Sequence, residues 1–373
     1  MIRSDYLGFL IFVCMMIIFF VLPDPEGLQK PFRIGLGLLF VAIYFSLLIK
    51  KEISHKTLYP IIIGGAILLI FFYRGTIQTS FINAYLCLFG LICMPNLFFD
   101  LSILRRSNLS YIHTLAVFSI LVQFMIFSSN DGRPRLDYEI NLSGAYLFLF
   151  FLASNLLNYK HGKMLIIALS LLTLSRLLIY SILLFYIIKY GKKYLSRWNI
   201  KINFSSTLLI TYALFAAFSL WYVSNIKSEI AYETGIKRIS NLNDGSNELR
   251  FIANTLVLGT VFTKPLDPNV LLGFGPVENF ISATKGSLIM PHNELLDAIV
   301  QFGLLTVLFF AFTTLPLFNR IASFNNVEYL IPLLFYTLIL WVRYLIVPSF
   351  EMLFILFMLY IAKNQQKPKT AVF

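Results

Sequence analysis

MLIIALSLLTLSRLLIYSILLFYIIKY, residues 164–190, is an apolar run of 27 residues interrupted only by Ser175 and Arg176. A helix of about 20 apolar residues already spans a hydrocarbon core about 30 Å thick, so the question is how often this run crosses. The loops on either side decide it. Asn158–Lys163 carries Lys160 and Lys163, and Lys189–Lys201 carries Lys189, Lys192, Lys193, Arg197 and Lys201. Short loops rich in Lys and Arg belong on the cytoplasmic side. Both loops are then on one side, and the run between them crosses an even number of times, as two short helices that break near Arg176. Pieces of about 12 to 14 residues reach only about 18 to 21 Å. They are expected to tilt or to leave a cavity, and irregular backbone at membrane depth is tolerated where it lines one.

The rest of the chain has the same character. Of 373 residues, 58% are hydrophobic and 13% charged, and the mean hydropathy is +0.78. That excludes an ordinary water-soluble domain. Apolar runs recur at 6–22, 32–49, 58–73, 82–98, 111–128 and 142–157, then after the broken run at 205–224, 294–315, 329–346 and 350–362. None alternates with the period of a strand. The expected fold class is all-α: a polytopic membrane helical bundle of about twelve transmembrane helices. The first run ends in Pro23-Asp24-Pro25-Glu26-Gly27 without a small-residue cleavage pattern, so it reads as a retained span. The net charge of +12 follows from positive residues in inside loops and does not call for nucleic acid. Cys14, Cys87 and Cys93 lie within apolar runs and read as small hydrophobes.

Threaded with both termini inside, the chain divides into an N-terminal bundle (1–224), one long outer loop (225–293) and C-terminal helices with a cytoplasmic tail (294–373). The outer loop holds six basic and six acidic residues, neutral where the inside loops are positive. Within it, 246–258 has capping residues followed by apolar residues at helical spacing, and the spacing predicts a short helix with Arg250 in its first turn, ending at Gly259. The stretch 271–280, LLGFGPVENF, is turn-rich.

Polar residues stand out against this background. Arg176 at the broken run, Arg250 on the loop helix and Arg343 in WVRYL near the outer end of its span are cations at or near membrane depth, where charge is costly and functional use is the default expectation. The competing expectation is snorkelling, or pairing with Glu294, Asp297 or Glu351. His292 and Asn293 precede the run that starts at Glu294. A lone histidine is often a structural hydrogen-bonding residue. This one sits at the start of a helix, where backbone N–H groups favour anions, and near neutral pH it can take a proton from a hydroxyl nucleophile. Arginine suits a diphosphate because its fork gives bidentate, permanently charged contacts. No carboxylate pair or His/Cys cluster has metal-ligand spacing on the outer side.

His292-Asn293 followed after nine residues by Gly303, together with the preceding Gly273-Phe274-Gly275, the loop helix near Arg250 and Ser175-Arg176, resembles the motif order of the O-antigen polymerase and O-antigen ligase family. The resemblance covers roughly 165–310. It departs at Leu177, where the family often has Gly, and around Thr306. It implies a glycosyltransferase of the bacterial inner membrane with a metal-independent, cofactor-free site facing the periplasm. Such an enzyme moves a glycan from undecaprenyl diphosphate to an acceptor hydroxyl. By this resemblance His292 activates or positions the acceptor, Arg176 and Arg250 bind the donor diphosphate, and Asn293 and Arg343 are auxiliary substrate-binding residues. The partners are the lipid-linked donor, an acceptor that is another lipid-linked repeat unit or the lipid A core, the bilayer, and a chain-length regulator. The compact length favours polymerase over ligase. A flippase or transporter would show repeat symmetry and charges near mid-bilayer on several helices, whereas here the charges gather at one face.

Overall fold

The computed structural model describes residues 4–22, 29–97, 109–128, 134–136, 140–173, 175–195, 245–284, 294–321, 327–339 and 347–364, with scattered positions between 203 and 221. Among the described residues the regular elements are helical, the only extended pairing being an isolated bridge between Ser128 and Pro134. In chain order they are α1 (Ser4–Phe20), α2 (Gln29–Ile49), α3 (Leu58–Tyr73), α4 (Thr79–Cys93), α5 (Leu109–Ile126), α6 (Ile140–Leu156), α7 (Lys160–Thr173), α8 (Arg176–Leu195), α9 (Gly245–Thr263), α10 (Pro268–Leu272), α11 (Val277–Thr284), α12 (Glu294–Ile321), α13 (Val327–Ile339) and α14 (Phe350–Asn364).

Among the described residues three helical stretches, Gln29–Ile49, His55–Tyr73 and Leu295–Arg320, are long and apolar enough to cross a membrane, and six shorter helices are apolar. The core is built around α6 and α14. Phe148, Phe150, Phe151 and Leu152 on α6, and Leu353, Phe354, Leu356 and Phe357 on α14, are completely or almost completely buried. A helix that is apolar and buried all round is the centre of its bundle. Around α14 pack α1, α4, α6 and α12. The periphery is apolar as well: Ile62, Leu69 and Phe72 on α3 are 64%, 68% and 71% exposed. A fold that is apolar both at its centre and on its outer faces suits lipid, since water would penalise that outer surface.

Small residues set the closest helix contacts. On α2 and α4, a methyl added at Gly37 would meet Leu86, and one at Gly90 would meet Phe40 and Leu353. Close approach through glycine is how helices gain dispersion contacts where no hydrophobic effect separates helix from lipid. Along this seam Phe40 of α2 and Cys87, Phe89 and Cys93 of α4 are buried. All three cysteines are free.

The break in the opening run is present. α7 stops at Thr173 and α8 starts at Arg176, with Ser175 non-helical between them. One expectation needs correction: α7 has the expected length of a half-helix, but α8 runs for 20 residues through Lys189, Lys192 and Lys193. The lysines extend the helix because Lys is a good helix former and its stem covers apolar surface while the ammonium reaches a partner. Lys192 does so, pairing with Glu328 of α13 at 2.8 Å. Of the expected span 205–224, only scattered helical positions are described.

The helix ends meet in two sets. At one end Arg74, just after α3, donates to the carbonyl oxygen of Leu272 (3.2 Å) and to Asn269 Oδ1 (3.0 Å), and Gly275 packs on Thr76. At the other end of α3, Ser54, Thr57 and Pro60 share a cavity of about 420 Å³ with Asn96, Pro316 and Arg320. Glu328 follows Arg320 after a short connection, so the Lys192–Glu328 pair belongs to this second set.

Candidate functional site

Two described stretches, 264–284 and 294–303, frame the candidate site. Asp267 caps α10 by accepting from the backbone N–H of Asn269 at 2.8 Å. Pro268 follows at the first helical position, where its missing N–H costs nothing. The helix stops at Gly273, with φ +85°. The Asp-Pro start and Gly stop are a complete capping pattern that the turn-rich reading of 271–280 overlooked. Phe274 then donates its N–H to the carbonyl oxygen of Val300 at 2.8 Å, and Gly275 has φ +79°.

This hairpin of glycines docks on a break in α12. The run expected as one continuous span from 294 is two helical segments that meet at Gly303, whose φ of 80° and ψ of 159° are not helical. The second segment continues to Ile321, past Pro316. The reason for the break is backbone packing. A side chain at Gly303 would collide with the backbone of Leu271, Leu272 and Gly273, and one at Gly273 would collide with that of Gln301, Phe302 and Gly303. Only glycine adopts this region of φ/ψ without strain. The two sequence motifs, Gly273-Phe274-Gly275 and the glycine that closes the His292 pattern, are thus one structural unit.

The first segment of α12 is buried from Leu296 to Phe302 and carries polar groups inside. Gln301 donates from Nε2 to both carboxylate oxygens of the fully buried Asp297, at 3.0 and 2.9 Å. Asp297, another carboxylate in the competing expectation of ion pairing, thus has a partner one turn along its own helix. Leu296 and Val300 form a small apolar cluster with Val257 and Leu258 of α9 and Phe280 of α11, and Phe274 stacks edge-on against Phe280 at 5.1 Å.

α9 departs from expectation in two ways. It begins at Gly245, so Arg250 lies in its second turn, and it continues past Gly259 to Thr263. Gly259 has open space around it and costs a helix interior only about 1 kcal/mol. Helix formation stops where Lys264 precedes Pro265, since a residue before proline disfavours helical backbone. Along the outward side of α9 runs a groove of about 660 Å³, lined by Thr255, Gly259, Thr260, Lys264, Asp267 and Phe274 among others.

Of the sequence-predicted residues, Arg176 opens α8 and Arg250 lies on α9. His292, Asn293 and Arg343 lie outside the described residues, and the convergence of the five is an expectation from sequence. The described chain resumes after His292-Asn293 with α12, buried from Leu296 onward and packed on one face of α9.

A buried polar cluster escaped the sequence reading. Arg33 on α2 pairs with Glu351 on α14 at 3.0 Å and donates to Gln29 Oε1 (3.1 Å) and the Tyr146 hydroxyl (3.2 Å). Tyr146 donates to Glu351 Oε1 at 2.8 Å, and the guanidinium lies over the Phe19 ring. Glu351, one of the carboxylates in the competing expectation of ion pairing, is bound by Arg33. The signal in the sequence was a lone Arg and a lone Glu, each at the start of an apolar run. His113 is a structural histidine, bonded to Ser154 Oγ at 3.1 Å and stacked on Phe150.

The described chain is therefore a helical protein of membrane type. No family model, curated protein or solved structure matches it.

Proposed function

We propose that the chain is a glycosyltransferase of the bacterial inner membrane, an O-antigen-type polymerase that transfers an undecaprenyl-diphosphate-linked glycan to a hydroxyl of another lipid-linked repeat unit. In this reading about twelve helices cross the bilayer and 225–293 faces the periplasm. His292 takes the proton of the attacking hydroxyl, which bonds to the anomeric carbon as the bond to the diphosphate oxygen breaks. Arg176 and Arg250 hold the departing diphosphate, with Asn293 and Arg343 as auxiliary contacts. Permanent cations aimed at developing negative charge are a large source of rate in a water-poor site.

The observation that carries the reading is the docking of Gly273-Phe274-Gly275 on the α12 break at Gly303. It makes a single unit of two motifs whose order suggested the family. The same contact lies against the helix that His292-Asn293 precede. The two sets of helix ends add support. The link after α3 and the segment 269–275 touch, and in the threading from sequence both are periplasmic. The Lys192–Glu328 pair joins two ends that the same threading makes cytoplasmic.

The test is complementation of a deletion strain. His292→Ala and Arg250→Ala, inserted at normal levels, are expected to abolish long glycan chains; normal chain ladders in both would sink the assignment. The deletion phenotype separates polymerase from the ligase alternative. A single repeat unit on lipid A core supports polymerase, and long chains retained on the undecaprenyl carrier support ligase.

A further inference from the structure

α9 is amphipathic in an unusual way. Its buried positions are Ala253, Asn254, Val257 and Leu258, the stripe that packs on the first segment of α12 through Leu296 and Val300. Asn254 is completely buried, yet neither its Nδ2 nor its Oδ1 has a hydrogen-bond partner. An amide in this state costs stability for each group left unsatisfied, and replacement by an apolar residue of the same shape is neutral or better. The position is about one helical turn after Arg250 in the helix.

The level of Asn254 follows from connectivity. α9 ends at Thr263, and after a short link α10 is fixed to the α12 break at Gly303. The C-terminal end of α9 is thus tied to the C-terminal end of the first α12 segment. Both segments lead away from that junction, and the Val257/Leu258 to Leu296/Val300 cluster keeps them together. Moving back along α9 from Leu258 to Asn254 and along α12 from Val300 leads in each case toward Arg250 and toward the start of α12. On the way back from Val300 lies the buried Asp297, bonded to Gln301 one turn nearer the junction.

We infer that Asn254 is a substrate-contacting residue on the α9–α12 seam, and that its ligand is a sugar hydroxyl pair of the glycan, not the diphosphate. The inference rests on the glycosyltransferase reading and extends it by one residue and one subsite. The chemistry selects the ligand. Nδ2 only donates and Oδ1 only accepts. A diphosphate offers acceptors alone and would leave Oδ1 unsatisfied in a buried place, whereas adjacent hydroxyls satisfy both atoms.

The experiment uses the full chain in two measurements, thermal stability of the detergent-purified protein and glycan chain length in a complemented deletion strain, for Asn254→Leu and Asn254→Asp beside Arg250→Ala and His292→Ala. Asn254→Leu is expected to keep or raise the melting temperature while long chains shorten or disappear. Asn254→Asp, which keeps an acceptor toward a hydroxyl but would repel a diphosphate, is expected to retain a shortened ladder. A normal ladder in Asn254→Leu while Arg250→Ala and His292→Ala lose theirs overturns the inference and leaves the enzyme reading standing. A melting temperature lowered in Asn254→Leu overturns it too, because the amide would then be serving the protein. Complete loss in Asn254→Asp overturns the sugar assignment. Normal ladders in Arg250→Ala and His292→Ala remove the reading on which the inference stands, and the inference with it.

Discussion

Replacing Gly303 by alanine tests the junction on which the site is built. The residue has φ 80° and ψ 159°, a region that is essentially glycine-only and costs any other residue about 1–3 kcal/mol. The added methyl would also press into the backbone of Leu271, Leu272 and Gly273. Backbone cannot swing aside as a side-chain tip can, and overpacking of this kind costs roughly another 1–3 kcal/mol. The combined penalty is about 2–6 kcal/mol. At roughly 2–4 °C per kcal/mol, the melting temperature of the purified protein falls by several degrees or more. Gly35→Ala is the control. That glycine lies within α2 with nothing within 4 Å of a new methyl, so alanine there stabilises by about 0.5–1 kcal/mol. Gly273→Ala should resemble Gly303→Ala. The double variant should cost less than the sum of the two, by about 0.5–3 kcal/mol, because each methyl invades the space opened by the other's displacement. A Gly303→Ala protein that melts with the Gly35→Ala control would refute the reasoning, since α12 would then not turn on a glycine against α10.

Two further outcomes follow from the packing. Removing one member of the buried Arg33–Glu351 pair, as in Arg33→Met, should cost about 3–5 kcal/mol, and the double variant Arg33→Met/Glu351→Leu should recover most or all of it; melting curves of the two proteins check this, and a double variant as unstable as the single would show that the cluster is held by more than its charges. Gly259→Ala should stabilise α9 by about 0.5–1 kcal/mol if the helix runs through to Thr263, while a fall in melting temperature would mean that the helix ends at that glycine.

The helices were legible because each apolar run is long and the punctuation between runs is polar. The break at Ser175-Arg176 was legible for a subtler reason: charge on both flanking loops constrained the parity of the run between them. Where the reading missed, a local signal was outweighed by packing or by propensity. Gly259 looks like a helix stop, yet Pro265 is the actual stop. Gly303 sits in an apolar run that reads as unbroken helix, and only the approach of α10, distant in sequence, shows that its backbone turns there. Arg33 and Glu351 are 318 positions apart, so no window could pair them. The motif order around His292 was readable without any tertiary contact. The unsatisfied amide of Asn254 was not, since an asparagine inside an amphipathic pattern looks like any surface position until its burial is known.

The proposed activity joins lipid-linked glycans at a site containing His292. Its most direct test is to incubate the purified full-length protein with undecaprenyl-diphosphate-linked repeat units as the only sugar substrate and to size the products. Products lengthened by whole repeat units, absent with His292→Ala protein of equal stability, are the expected result. No lengthening by the unaltered protein, or equal lengthening by the His292→Ala protein, would contradict it.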